Sequence, residues 1–268
     1  MTDTKYLQSV LDEIGYSVHN LNTIAVALSN LPSCSHIDPA LNIKWEPKNV
    51  QTSSITARRF AVRSSIVFAV ETLFEYMTNI SDDAMWRELN IGLDFSVELS
   101  SHDSKARRFS EFCKNIPGIE KEFYLLVELM CHWRNRIVHA STSKAQLSSS
   151  DRKFLESKES ELYDNFHHFD VKKALADYEA DKVTLKEATT LITFLIKCCR
   201  KIDEYYISST SLLGNDIYFD ILDEDERLEK IRKQQNSAKR SRQITKYIEL
   251  KLSSLSTEKL EEITIKYI

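Results

Sequence analysis

Residues 119–139 read IEKEFYLLVELMCHWRNRIVH. Ile119, Phe123, Leu126, Met130, Trp133 and Ile137 recur every three or four positions, the period of a helix with one buried face. Pro117-Gly118 precedes the segment and breaks the helix expected near Lys105 to Asn115, while the serine-rich stretch Ser141 to Ser150 follows it as an exposed connection. The same period recurs outward in both directions. Leu7, Val10, Leu11, Ile14, Val18, Leu21, Ile24 and Leu28 mark a helix from about Lys5 to Leu31. Leu191, Leu195, Cys198, Ile202 and Tyr205 mark another between Thr184 and Ile207. The fold class read from these periods is all-α.

Composition agrees. Glycine and proline number four each in 268 residues, about 3% together where globular chains carry about 12%, so tight turns and strand connections lack their usual residues. With 42% hydrophobic residues the chain can bury a core without metals or disulfides. The five cysteines (Cys34, Cys113, Cys131, Cys198, Cys199) are odd in number and show no CxxC spacing, which points to a reducing compartment, the cytoplasm. No apolar run has the length of a signal peptide or a bilayer span, so the expectation is a protein that is not secreted and has no membrane partner. A net charge of −4 disfavours binding of nucleic acid over the whole surface and leaves room for a local basic cleft.

Between these helices, Pro32 to Asn49 holds three prolines and Trp45 and reads as a surface loop. Ser54 to Asn79 is apolar around most of its circumference, with a narrow polar arc of Ser64, Glu71 and Glu75, the pattern of a central helix. A short helical piece is expected at Asp82 to Leu89, and a charged surface helix at Ser150 to Phe166. Past Gly214 an acidic cluster, Asp220 to Glu226, gives way to Arg227 to Lys246, with eight Lys or Arg and one Glu, and then to the more apolar Ile244 to Ile268, an arm for some docking surface. Three units follow: an N-terminal helix with its Pro-containing loop over 1–50, a helical bundle over 51–210, and a charged helical extension over 211–268.

Arg134 falls at the edge of the apolar stripe of the 119–139 helix. Its guanidinium cannot shed its proton, so the position demands an acid, a cleft edge or an anionic ligand. Five residues on, at the helix end, His139 is suited to moving protons near neutral pH. An arginine for phosphate beside a histidine for protons is nuclease chemistry. The blander arrangement for the same residues is a structural Arg134–Glu71 pair with an exposed His139. Neither a glycine-rich phosphate loop nor a GxSxG elbow is present, and His167 and His168 lack the spacing of a metal site.

The run Arg134-Asn135-Arg136-Ile137-Val138-His139 resembles the Arg-x4-6-His signature of HEPN ribonucleases, including the polar residue, often Asn, after the arginine. The resemblance implies an up-and-down HEPN-like helical bundle with additional N- and C-terminal helices. It implies a homodimer whose two motifs form one composite site that cuts single-stranded RNA without a metal or other cofactor. Arg134 and His139 would be the catalytic pair, Asn135 would orient the histidine or the phosphate, and Glu71 is the candidate for the acidic residue that some members add. Arg58, Arg59, Arg63 and Arg136 are candidates to line an RNA groove, with Arg107 and Arg108 as further basic positions. Family members of this kind serve in toxin–antitoxin and antiviral defence, which implies an antitoxin or other defence protein as a partner. The chain lacks the Tyr-x-Tyr through which one subgroup is silenced. The alternative within the same resemblance is a silent module that binds RNA, a nucleotide or a protein.

Overall fold

A computed structural model describes residues 3–31, 39–89, 104–139, 146–252 and 255–268. Within them every regular element is helical: thirteen α-helices and one 3₁₀ turn, with no strand among the described residues. No helix of these residues is long and apolar enough to cross a membrane. Cys34, residues 90–103 of the stretch between the third and fourth helices, and residues 140–145 of the serine-rich connection lie outside the described residues.

The first helix, α1 (Lys5–Asn30), starts where the Thr4 hydroxyl accepts the Leu7 N–H. Thr4 in turn gives its own N–H (3.1 Å) and its hydroxyl to the buried carboxylate of Asp203, which pins the start of α1 to a distant helix. Burial pushes the Asp203 carboxyl up and the two Thr4 bonds hold it partly down. Leu7, Val10, Ile14 and Leu21 sink into the same core as the rest of the bundle, so the N-terminal helix is part of that packing unit. The second helix, α2 (Val50–Ser81), starts four residues earlier than the apolar pattern, because Asn49 caps it. It is central: Val62, Ile66, Val70, Leu73 and Met77 are almost fully buried, and Tyr76 donates to the Cys199 carbonyl at 3.0 Å.

A short α3 (Ala84–Glu88) follows, capped by Asp83, which also accepts from Tyr6 and Tyr206. Next come α4 (Lys105–Lys114) and, after the left-handed Gly118, α5 (Lys121–Val138). The charged segment expected as one helix is two, α6 (Ser149–Ser157) and α7 (Glu159–Asn165), broken at Lys158. His167 and His168 leave α7 with positive φ and stand exposed on a turn, not on a helix. After them lies α8 (Val171–Glu179), a short helix outside the long apolar periods. Asp170 caps it, and Val171, Ala174, Leu175 and Tyr178 give it a buried face at positions i, i+3, i+4 and i+7. The long α9 (Leu185–Thr210) begins at a reciprocal capping box between Thr184 and Glu187 and closes the main core against α1, α2 and α5.

Four further helices, α10 (Asn215–Asp223), α11 (Glu226–Arg232), α12 (Ser237–Lys251) and α13 (Thr257–Ile265), surround a second, smaller core. Tyr218, Leu222, Leu228, Ile244, Ile248, Leu252, Ile263 and Tyr267 form it, together with Met85 of α3, which joins it to the bundle. Ile244, Ile248, Leu252, Ile263 and Tyr267, which by sequence suit an arm reaching elsewhere, are therefore packed within the chain, while Leu250, Ile265 and Ile268 stay exposed. Much of the basic stretch is also engaged internally. Lys230 faces Glu226, Lys233 faces Glu229, Arg227 stacks over Tyr247, and Arg232 over Tyr267.

A candidate active site where α2 meets the end of α5

Glu71 lies on the outward arc of α2 and Arg134 on the last turns of α5, and packing of the two helices brings them together. Arg134 Nε donates to Glu71 Oε1 at 2.6 Å, and Nη2 reaches the same carboxylate. The remaining Nη1 points the other way, to Asn135 Oδ1 at 3.1 Å and to His139 Nε2 at 3.4 Å. For Nη1 to donate to that ring nitrogen, Nε2 must carry its lone pair and the ring proton must sit on Nδ1. The arginine side chain is about one-fifth exposed (21%), the carboxylate about half (47%), and the imidazole is exposed. Four residues anticipated from the sequence thus form one partly exposed cluster.

Local structure explains the placement. His139 ends α5 as its C-cap, donating its backbone N–H to the Asn135 carbonyl at 2.8 Å. The helix stops there, and the imidazole lies back toward Arg134, which is anchored against α2. Trp133, Met130 and Leu126 on the buried side of α5 fix the rotation of the helix.

The four RNA-groove arginines do not share one surface. Arg136 turns inward: Nη1 bonds the Tyr178 carbonyl, and the guanidinium lies 4.2 Å from the Tyr178 ring centre and 5.9 Å from that of Trp133. Burial raises the Tyr178 phenol above its ordinary value, and the Arg136 charge partly offsets this. Arg63 pairs with Asp181 at 3.1 Å. Both acceptors belong to α8 or the turn after it. The short apolar repeat of 171–178 and its Asp170 cap were the signal that would have revealed them. Arg58 and Arg59 line a separate cavity at the start of α2.

Beside the cluster lies an apolar surface. Phe60, Ser64, Phe68, Glu71 and Glu75 follow one stripe of α2 at i, i+4, i+8, i+11 and i+15. Phe60 is 71% exposed and Phe68 42%, and with Tyr16 (70%) and Ile24 of α1 they border an apolar groove of about 500 Å³. Cys113, Cys131, Cys198 and Cys199 are buried and free, and burial raises the thiols of Cys113, Cys131 and Cys199, which makes them poor nucleophiles. Among the described residues no group of three or more His, Cys, Asp or Glu is arranged to hold a metal ion.

No family model, curated protein or solved structure matches the chain.

Proposed function

We propose that this chain is a HEPN-type endoribonuclease that cleaves single-stranded RNA, tRNA among the candidate targets, through Arg134 and His139 without a metal ion. The observation that carries the reading is the orientation of Arg134. Glu71 fixes two of its nitrogens, and the third is turned toward Asn135 and the exposed His139, so cation and imidazole stand side by side at the surface. In the proposed reaction a 2′-hydroxyl loses its proton to an imidazole as its oxygen attacks the adjacent phosphorus. The 5′-oxygen leaves and takes up a proton, giving a 2′,3′-cyclic phosphate and a 5′-hydroxyl. Arg134 balances the charge that builds on the phosphoryl oxygens. Asn135 holds the arginine, and Glu71 sets its direction.

Two imidazoles serve this chemistry better than one, since one removes a proton while the other supplies one. The reading therefore includes a homodimer in which His139 of two copies shares a cleft. Phe60, Phe68 and Tyr16 support that arrangement, because an exposed apolar stripe adjoining Glu71 is what a second copy would cover. The setting we propose is the cytoplasm, in a toxin–antitoxin or antiviral defence system with a protein partner that restrains or triggers the enzyme. A second reading, a silent HEPN-like module binding RNA, a nucleotide or a protein, is favoured by one feature: Glu71 already occupies two of the donors of Arg134.

The test is incubation of the full chain with total RNA and with tRNA in EDTA, beside Arg134→Ala and His139→Ala proteins matched by circular dichroism. Cleavage that survives EDTA and falls by about 100-fold or more in both variants is the expected outcome. Equal cutting by all three proteins, or RNA binding without cutting by any of them, would overturn it, the latter in favour of the silent module.

A further inference from the structure

The cavity between the C-terminal half of α1, the start of α2 and the start of α9 plays no part in the cluster around Arg134. It is an open depression of about 590 Å³, within the range of roughly 300–1,000 Å³ usual for small-ligand sites. Val26, Ile55, Val62 and Leu185 give it aliphatic walls, Arg58 and Arg59 line it, and no acidic residue does. Arg63, Arg87, Arg134, Arg152 and Arg200 each face a carboxylate. Among the described residues Arg58 and Arg59 reach none, and unlike Arg136 and Arg240, which bond the carbonyls of Tyr178 and Gln234, they show no side-chain hydrogen bond. Moreover, the Nε of Arg58 is out of contact with water and has no hydrogen-bond partner.

A guanidinium keeps its charge at any physiological pH, so the half-buried Arg58, with its unsatisfied N–H, would be stabilised by an anion from outside the chain, which the exposed Arg59 beside it could also reach. The cavity supplies more of the same sign. The wall at Thr184 and Leu185 is the start of the 26-residue α9, where the Thr184 hydroxyl caps the Glu187 N–H and the Leu185 and Lys186 N–H groups have no acceptor within the helix. The nearby carboxylate of Glu187 is already committed, to the Thr184 N–H and to Lys173, each at 2.9 Å. Guanidinium pairs with adjacent main-chain donors suit a tetrahedral dianion. Arg59 lies twelve residues before Glu71 on α2, a separation of about 18 Å at 1.5 Å per residue, too far for one phosphate to touch both.

We infer that the Arg58–Arg59 cavity is a phosphate-binding site separate from the Arg134–His139 cluster. The phosphate is carried either by a small free molecule or by an RNA strand. The assignment stands on the cavity alone and does not require that the chain cleave RNA.

Titration calorimetry of the full chain with inorganic pyrophosphate tests it. The wild type should bind, Arg58→Gln/Arg59→Gln should bind about tenfold or more weakly, and Arg134→Gln should bind within about twofold of wild type. Val26→Glu, at a position 63% exposed, puts a carboxylate on the cavity wall with little risk to folding and should weaken binding likewise. It decides the matter if the arginine variant fails to fold. Competition by a single-stranded oligoribonucleotide, with and without a 5′-phosphate and in the His139→Ala chain so that it stays intact, separates the sources. Displacement by the 5′-phosphorylated strand alone assigns its end, displacement by both assigns internal phosphates, and displacement by neither assigns a small free phosphate. If the wild type binds neither pyrophosphate nor the phosphorylated strand, or if Arg134→Gln weakens pyrophosphate as much as the double variant does, the inference fails. Loss of RNA cleavage in the Arg134 variant with pyrophosphate binding intact separates this site from the proposed reaction.

Discussion

At the scale of single residues, Glu71 decides between a structural ion pair and a positioning device. The Glu71–Arg134 pair is partly exposed, and pairs of that kind contribute about 0–1 kcal/mol to stability. Replacing Glu71 with Gln should therefore move the urea midpoint little. Yet a guanidinium released from its two-point hold no longer aims Nη1 at His139, and misplacement by about 1 Å costs about 100-fold in rate. The expected outcome is near-native stability with RNA cleavage lower by about that factor, measured on the same preparations. A large loss of stability with unchanged cleavage would instead make the pair structural. Asn135 is bound into the same geometry twice, its side chain accepting from Arg134 and its carbonyl from the His139 N–H.

Individual helices carry different predictions. On α2 the stripe that carries Glu71 also exposes Phe60 and Phe68, and burying each phenyl ring stabilises an interface by about 1.5–3 kcal/mol. Phe60→Glu/Phe68→Glu should convert a dimer to a monomer in light scattering and lower cleavage with it, while the circular dichroism spectrum stays native. A wild-type monomer with full activity would sink the proposed composite site. On α11, Asp225 caps the first turn through the Arg227 and Leu228 N–H groups and also receives Tyr247 and Lys251. Burial alone would raise its carboxyl, but the bonds from Lys251, the Leu228 N–H and Tyr247 outweigh it and hold the group below its ordinary value. The fold thus favours the ionised form. Its contribution is complete above the ordinary carboxylate value near pH 4 and is lost as the pH falls through the depressed one. Asp225→Ala should cost about 1–2 kcal/mol at pH 7 by the loss of the cap, and the gap to wild type should close in acid, read by urea titration at pH 7 and pH 3.

For the molecule as a whole, two cores share one chain: a large one built from α1 to α9 and a small one from α10 to α13, joined at Met85 and by Lys259, which donates to the carbonyls of Ser211 and Leu213. Helix existence was legible in the sequence wherever an apolar face ran for several turns, as in α1, α2, α5 and α9, because a period near 3.6 is a property of the local string. The candidate cluster was legible in part for the same reason: Arg134, Asn135 and His139 lie within six residues of one helix end, so their proximity is fixed before any packing occurs. What they face was not. Glu71 is 63 positions from Arg134 and could be named only as a candidate, since any acid on any core helix suits the same string. Arg58, Arg59, Arg63 and Arg136 read alike as charges along helices. Only the placement of α8 and α9 turned Arg63 and Arg136 toward Asp181 and Tyr178 and left the other two lining a cavity. Sequence by itself determined an all-helical chain and the short arginine–histidine run, both set by spacing along one helix. Tertiary structure decided which acid holds Arg134, which arginines keep a free face and where the C-terminal apolar residues go, because these depend on contacts between segments far apart in the chain.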